Sequence, residues 1–475
     1  MNYESDDDDY SDFAVSAEPA AKRLSDGPFP VAGVDLLRPP GFVGEIADWI
    51  DAQCLFPRRR LAVASALVTV GNIGGLRHID PHSGVTGNIL AFCVAASATG
   101  KEAIQQAMAQ LHIAVGVQNA VQGGIKSEQE IVRNMIEHQP AYYIVDEIGI
   151  FLTKIRNAQN RGGAAYLEGV FGTIMSAYSK ANSRYLLNGD TKRELRKGFM
   201  AQLARAQDAG DDKAIADSER MVAMVDQGLD RPFLSLIGYT TPSTFDGVMD
   251  GETATQGFVG RAIIVNEPDI NPRARVGFQK APLGDAMVAA LNTLRHGGSY
   301  DQTPHRRIEH DGPMTEVQTT DDAAAMLQSA ANWLHDYAED MGEHTGEASV
   351  AMARRSYEMI AKLSFVLGMG SGVRGPDDVR WAFAYVRAEL DAKIALVFAN
   401  DNKKERPEEA LAARLINYID AEKGVTISVL ANRMKIKPEA LLPVLSKMQD
   451  RGMVAERMSG RRYKGADVTV WVRTA

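Results

Sequence analysis

Gly100 and Lys101 close one apolar run of the chain, and Asp146 and Glu147 close another. A Gly-Lys step that opens a helix sets an ammonium among backbone N–H groups, which suits the phosphates of a nucleoside triphosphate. Two adjacent carboxylates after a strand suit the other half of phosphoryl transfer: one holds Mg2+ and the other polarises the attacking water. In the pattern G-x-x-x-x-G-K-[ST], Ala95 takes the place of the first Gly and Glu102 that of the Ser or Thr. The nucleotide-binding candidates are therefore Ala96, Ser97, Ala98, Thr99, Gly100, Lys101, Glu102 and Ala103. Lys101 is expected on the β- and γ-phosphates, and Glu147 is the candidate for activating water. Mg2+ is expected on Asp146 and on Glu102, whose carboxylate is a hard oxygen donor where a hydroxyl usually stands.

Such a loop works only between a buried strand and a helix. Ile89 to Val94 is an apolar run fit for a central parallel strand. After Lys101, Ile104, Met108, Leu111 and Val115 follow the spacing of one helix face. Tyr142 to Val145 predicts a second strand, and Ser127 with Glu130 forms a capping box for the helix ahead of it. Pro232 to Pro242 predicts a third strand ending in hydroxyls, of which Thr241 is the candidate sensor of a γ-phosphate. Arg261 is read as beginning a last core strand that runs to Val265. An Arg beside a Gly with apolar flanks has the form of an arginine finger reaching a neighbouring subunit's nucleotide. An Arg packing its stem at a strand edge fits the same residues.

The bulk of the chain agrees with a large soluble protein. Its 475 residues are 45% apolar and 24% charged, with a net charge of −9, and they suffice for two or three domains. No stretch reads as a bilayer span, and the acidic N-terminus, with Asp6 to Asp9 in a row, does not read as a signal peptide. Two cysteines without disulfide or metal-ligand spacing suit a reducing cytosol. We expect an acidic disordered tail over 1–28, a helical segment over 29–85, and an α/β core over 86–280. A helical lid is expected over 281–402 and a separate domain over 403–475. Within the lid, Arg354 or Arg355 is a candidate for reaching the nucleotide; a surface salt bridge is the plainer role.

Two regions carry basic residues against the overall acidic balance. A helical insertion at about 164–229 holds Lys192, Arg193, Arg196 and Lys197, a candidate grip on a phosphate backbone or simply a solvated helix face. Beyond the charged linker at 401–407, three predicted helices and two strands have the winged-helix pattern, and from Lys403 to the end 15 Lys and Arg stand against nine Asp and Glu. Lys447 and Arg451 on its third helix, and Arg457, Arg461, Arg462 and Lys464 around its wing, are candidate DNA contacts. Protein–protein contact is the other use of such a module.

Taken in order, these motifs resemble a family of P-loop ATPases of phages and mobile elements, known as a domain of unknown function or as the helicase part of primase–helicases. The likeness covers about 36–400. It rests on Pro-Pro-Gly-Phe-Val-Gly-Glu-Ile-Ala-Asp-Trp-Ile from Pro39, Ala-Thr-Gly-Lys-Glu from Ala98, and Tyr-Ile-Val-Asp-Glu-Ile-Gly from Tyr143. It continues through Leu-Ile-Gly-Tyr-Thr-Thr-Pro from Leu236, Gly-Phe-Val-Gly-Arg from Gly257, and the helical segment with Arg354 and Arg355. The resemblance implies a P-loop NTPase core, ATP with Mg2+, and a homo-oligomeric ring, hexameric in the usual case. Too few residues precede the loop for a primase–polymerase domain, so none is expected. The function expected first is a ring-forming replicative DNA helicase, single-stranded DNA in the ring and duplex on the winged helix. An initiator or helicase-loader ATPase that recruits replication proteins is the second, and a catalytically silent DNA-binding scaffold the third.

Overall fold

Five parallel strands form the centre of the protein: β1 (Leu90–Val94), β2 (Val121–Gln122), β3 (Ala141–Val145), β4 (Leu234–Thr240) and β5 (Ala262–Asn266), in the order β2-β3-β4-β1-β5. The computed structural model describes residues 27–97, 100–138, 140–161, 165–245, 257–268, 273–296, 314–344, 347–405, 411–412, 415–416, 418–420, 424–434, 436–463 and 466–474. The expected acidic tail lies almost wholly outside them, as do Ala98, Thr99 and Lys464.

The central strands are buried on both faces, which is why they read as unbroken apolar runs rather than as alternation. Their side chains still divide by the two-residue period of a strand. Ala91, Cys93, Tyr142 and Ile144 pack with α1 (Gly41–Ala52), α2 (Arg59–Gly74) and α3 (Lys101–Ala114). Leu90, Phe92, Val94, Ala141, Tyr143 and Val145 pack on the other face with α4 (Glu128–His138), α5 (Ile148–Arg161) and α6 (Ala165–Ser179). The result is α/β, a parallel sheet between two helical layers. Helix α2 is buried along its whole length from Leu61 to Gly74, because α1, α3 and strands β1, β4 and β5 surround it. The capping box of α4 forms with one shift. Ser127 Oγ accepts from the Glu130 N–H (3.2 Å), while the Glu130 carboxylate accepts from the N–H of Lys126 rather than of Ser127 (2.7 Å).

The insertion between β3 and β4 is a helical hairpin, α7 (Gly189–Ala209) and α8 (Asp212–Gln227). Its base is closed by a two-residue antiparallel ladder, Arg184–Tyr185 against Leu229–Asp230. Past β5 come α9 (Asp285–Arg295), α10 (Asp321–His344), α11 (Glu347–Met369) and α12 (Pro376–Glu405). The region expected as a helical lid groups with the sheet, up to Val397, in one compact unit, Met1–Val397. Two buried ion pairs help to make it so. Asp80, just beyond α2, meets Arg374, which lies between α11 and α12. Glu389 of α12 accepts from the Ile264 N–H of β5 (2.8 Å) and is paired with Lys393 (2.9 Å).

The second unit, Phe398–Ala475, has its own core of Leu415, Leu430, Leu441, Leu445, Val454 and Trp471. It carries α13 (Ile427–Met434), α14 (Pro438–Asp450) and an antiparallel hairpin, β6 (Val454–Tyr463) with β7 (Ala466–Arg473). Val425 bridges Trp471 as a third short strand. The hairpin is longer than the sequence pattern suggests. The stretch from Ser459 to Tyr463, loop-like in composition, continues β6: the register shifts between Met458 and Arg462, and Arg462 and Tyr463 then pair with Asp467 and Ala466.

His112 ties α3 to α2. Its Nδ1 lies 2.7 Å from the Met108 carbonyl and its Nε2 3.3 Å from the Asn72 side-chain amide. Burial pushes this imidazole down to about 4. A depressed histidine favours the fold while it is neutral, so its contribution is whole above the free imidazole value of about 6.5 and is lost as pH falls toward 4. Between pH 7.5 and 5 the loss is expected to be about 2 kcal/mol. Urea midpoints measured at both pH values should differ more for the native chain than for His112→Gln.

Candidate functional site

The end of β1 and the start of α3 are held by backbone geometry. The Ala95 N–H donates to the Thr240 carbonyl (3.1 Å) and extends the β1–β4 ladder by one step. Gly100 caps α3 with φ +89°, where any side chain is strained. Phe56 packs alongside it, 3.5 Å from where a Cβ would be.

Lys101 is the first residue of α3 and only 8% exposed. Its Nζ donates to the carbonyls of Ala95 (3.3 Å) and Thr240 (3.2 Å) and stands 3.9 Å from Glu147 Oε1. The ammonium thus lies over the C-terminal ends of β1 and β4, faced by the acidic end of β3. Asp146 Oδ1 accepts from Gln105 Nε2 (3.1 Å) and from the Glu147 N–H (3.0 Å), which joins the second turn of α3 to the end of β3. Glu147 has φ 50°, a left-handed backbone uncommon outside glycine. Such strain gathers where a side chain must be aimed.

The strand order explains why the groups meet here. The chain leaves β1 for the far edge, returns through β3 and β4, and crosses to β5 on the other side. That reversal opens a crevice at the carboxyl ends of the strands, the usual ligand position in open α/β sheets. The donors are hard oxygens. Asp146 has Oδ2 outside these contacts, and Thr240 has a buried Oγ1 with no hydrogen-bond partner. Among the described residues no group of three or more His, Cys, Asp or Glu could hold a metal by itself. A single carboxylate oxygen such as Asp146 Oδ2 is a hard donor that could hold Mg2+ only together with oxygens from elsewhere, such as phosphate.

Other expected site residues fall elsewhere. Glu102 is exposed on α3 and accepts from Gln106 Nε2 (3.2 Å) along the helix, and no contact joins it to Asp146. Thr241 Oγ1 pairs with Thr244 Oγ1 (2.9 Å). Arg261 does not begin β5. It ends a single helical turn, Phe258–Arg261, and the strand starts at Ala262. Arg355 lies against Arg261 and Gly257, while Arg354 is exposed on α11. Ala262 pairs with Leu90, the first residue of β1, so Arg261 and Arg355 sit at the edge of the sheet opposite Lys101.

In the hairpin, two of the four expected basic residues are ion-paired with acids. Lys192 Nζ donates to the Asp226 carbonyl (2.8 Å), Arg196 Nε bonds Asp226 Oδ1 (3.2 Å), and Arg193 pairs with Asp190. Lys197 is exposed. In the second unit Lys447, Arg451 and Arg457 are exposed, and the side chains of Arg461 and Arg462 lie outside the described residues.

Two residues of the site escape sequence reading, Thr240 and Gln105. Gln105 stands one turn beyond Lys101, next to Ile104 on the apolar stripe of α3, and a polar residue there is a usable signal. Thr240 is hidden by its neighbour, since only the Val94–Thr240 register decides which hydroxyl meets the strand end. No protein-family model matches the chain, and no curated protein matches it.

Proposed function

We propose that the chain is a P-loop-type ATPase that acts on DNA, in the manner of a ring-forming replicative helicase of a phage or mobile element. The observation that carries this reading is the Lys101 ammonium at the strand ends of β1 and β4, 3.9 Å from Glu147. In this reading Lys101 releases its two carbonyls for the β- and γ-phosphates, and Asp146 turns its open oxygen to Mg2+. Glu147 takes the proton of the attacking water, and Thr240 offers its hydroxyl near the γ-phosphate. Asp146 would hold the Mg2+, which when bound would supply charge neutralisation on the phosphates. The second unit, with α13 and α14 followed by a hairpin, is read as a winged helix laid on duplex DNA, with Lys447, Arg451 and Arg457 on phosphates.

Steady-state ATP turnover with and without single-stranded DNA tests this directly. DNA is expected to stimulate it, and a chain that turns over no ATP under either condition sinks the reading. Glu102→Thr restores the usual hydroxyl and is expected to keep turnover within about tenfold, ~1.4 kcal/mol in the barrier. Loss of turnover in a folded Glu102→Thr chain would give Glu102 a role that the hydroxyl does not replace.

The matched charges of the insertion favour a second reading, an initiator or helicase loader. Arg193 and Arg196 are ion-paired with Asp190 and Asp226, which leaves less charge for gripping a strand. A forked substrate separates the two: a helicase displaces the strand, whereas a loader binds duplex DNA and leaves the fork paired.

A further inference from the structure

Three apolar residues in a row, Leu55, Phe56 and Pro57, lie in the turn from α1 to α2. Leu55 is 40% exposed, Pro57 is exposed, and Phe56 keeps part of its surface in water. The Phe56 Cβ and Cδ2 stand 3.5 and 3.8 Å from where a Cβ of Gly100 would be, so this apolar run borders the phosphate loop. Single exposed apolar residues are ordinary, but a run of three against a polar site marks a surface kept for a ligand.

The turn is braced from outside. The Arg275 N–H donates to the Leu55 carbonyl (2.9 Å), and the Arg275 guanidinium donates to the Cys54 carbonyl (3.1 Å) and pairs with Asp51. Gln53 Nε2 donates to the Ala281 carbonyl (2.8 Å) and Trp49 Nε1 to that of Pro282 (3.2 Å). One segment, from Arg275 to Pro282, thus holds the end of α1 and the start of the turn. A backbone fixed in this way keeps an aromatic face at one angle, which a stacking surface requires.

We propose that Phe56 is the stacking surface for the base of the bound nucleoside triphosphate, with Leu55 and Pro57 as its apolar rim. The inference rests on the ATPase reading and deepens it, because it names the residue that tells a nucleotide from a bare polyphosphate. The groups gathered around Lys101 all address the phosphates. Lys101 faces Glu147, so the γ-phosphate end of the nucleotide lies toward β3. Strand β5, which precedes the bracing segment, lies on the other side of β1. The nucleoside end leaves past Gly100 on that side and meets Phe56. The two ring faces pack in the offset arrangement that aromatic pairs prefer. Such a contact reads the face of a base and needs no hydrogen bond to its edge.

Phe56→Leu tests this, because leucine keeps apolar packing on Gly100 and has no aromatic face. Calorimetric titration with Mg2+ present compares ATP with inorganic triphosphate, which has the phosphates and no base. Phe56→Leu is expected to bind ATP about tenfold more weakly than the native chain, within the usual loss for one stacked base. It is expected to bind inorganic triphosphate as the native chain does. Equal ATP affinity in the two chains overturns the proposal. So does an equal loss for both ligands, which would mean that Phe56 only props the loop. A native chain that binds triphosphate as tightly as ATP has no base contact to lose and overturns it too. Phe56→Trp brings back an aromatic face and should keep native ATP affinity. Its added indole emission, read against the native chain, should fall with ATP and hold with triphosphate. An indole that answers both ligands alike, or neither, overturns the stacking.

Failure of the ATPase reading looks different. A native chain that binds ATP without turning it over ends that reading and leaves these affinities to decide the role of Phe56. A native chain that binds neither ligand ends both.

Discussion

Glu147→Gln is expected to bind ATP as the native chain does and to turn it over about 10²- to 10⁴-fold more slowly, the usual contribution of a positioned general base. The amide keeps the shape and the backbone but accepts no proton. Lys101→Ala is expected to fail earlier, at binding, because it removes the cation that faces the phosphates and takes one donor from each of the Ala95 and Thr240 carbonyls. Equilibrium binding of a fluorescent ATP analogue, read beside turnover, separates the two defects. Glu147→Gly adds a stability readout. The left-handed backbone at Glu147 costs a residue with a side chain of order 1 kcal/mol, and glycine removes that strain. Glu147→Gly should therefore melt higher than the native chain while turning over no ATP. A lower melting temperature would mean that the strained backbone serves packing and not the aim of the carboxylate.

Asp80→Ala is expected to destabilise the first unit by about 3–5 kcal/mol, because it strands a buried guanidinium. Asp80 and Arg374 have side chains 3% and 4% exposed, and the aspartate also accepts from the N–H groups of His82 (2.9 Å) and Ser83 (3.2 Å). Burial alone would raise the Asp80 carboxyl; Arg374 and the two amides more than offset it and hold the group below its usual range. The sign follows. A depressed carboxylate stabilises the fold above about pH 4 and loses that contribution as pH falls through the folded value. Asp80→Ala should thus be weaker at neutral pH, and the gap to the native chain should close on strong acidification. Denaturant midpoints across that range measure it, and an unchanged midpoint at pH 7 would show that the pair contributes nothing net.

The chemistry of the site is easier to read in the sequence than its geometry. Buried parallel strands announce themselves as apolar runs, so the strands that lead to Lys101, Asp146 and Glu147 are legible from residue types alone. Strand β2 is not, because two residues carry no period. The edge on which a residue lies depends on register and on where later helices dock. Sequence alone thus offers Arg354 or Arg355 to the nucleotide, and only the docking of α11 shows that Arg355 lies at the opposite edge beside Arg261. Its place after Lys101 offers Glu102 as a metal ligand, while the contact it makes along α3, with Gln106, is not legible from that motif. The charge of the insertion is legible and its pairing is not, since Asp226 meets Arg196 only after α8 folds back on α7.

The hydrogen bond from Ile264 to Glu389 has a consequence for how copies of this chain can touch. Open sheets are prone to grow by accepting a foreign strand along an unpaired margin. Here one margin is a strand of two residues, too short to template another, and the other has its Ile264 N–H already capped by a side chain from α12. Lys393 holds that cap in place. Association through added strands, which leads to fibrils and domain exchange, is thereby discouraged. Contacts between copies are left to helices and loops, surfaces that can part and re-form.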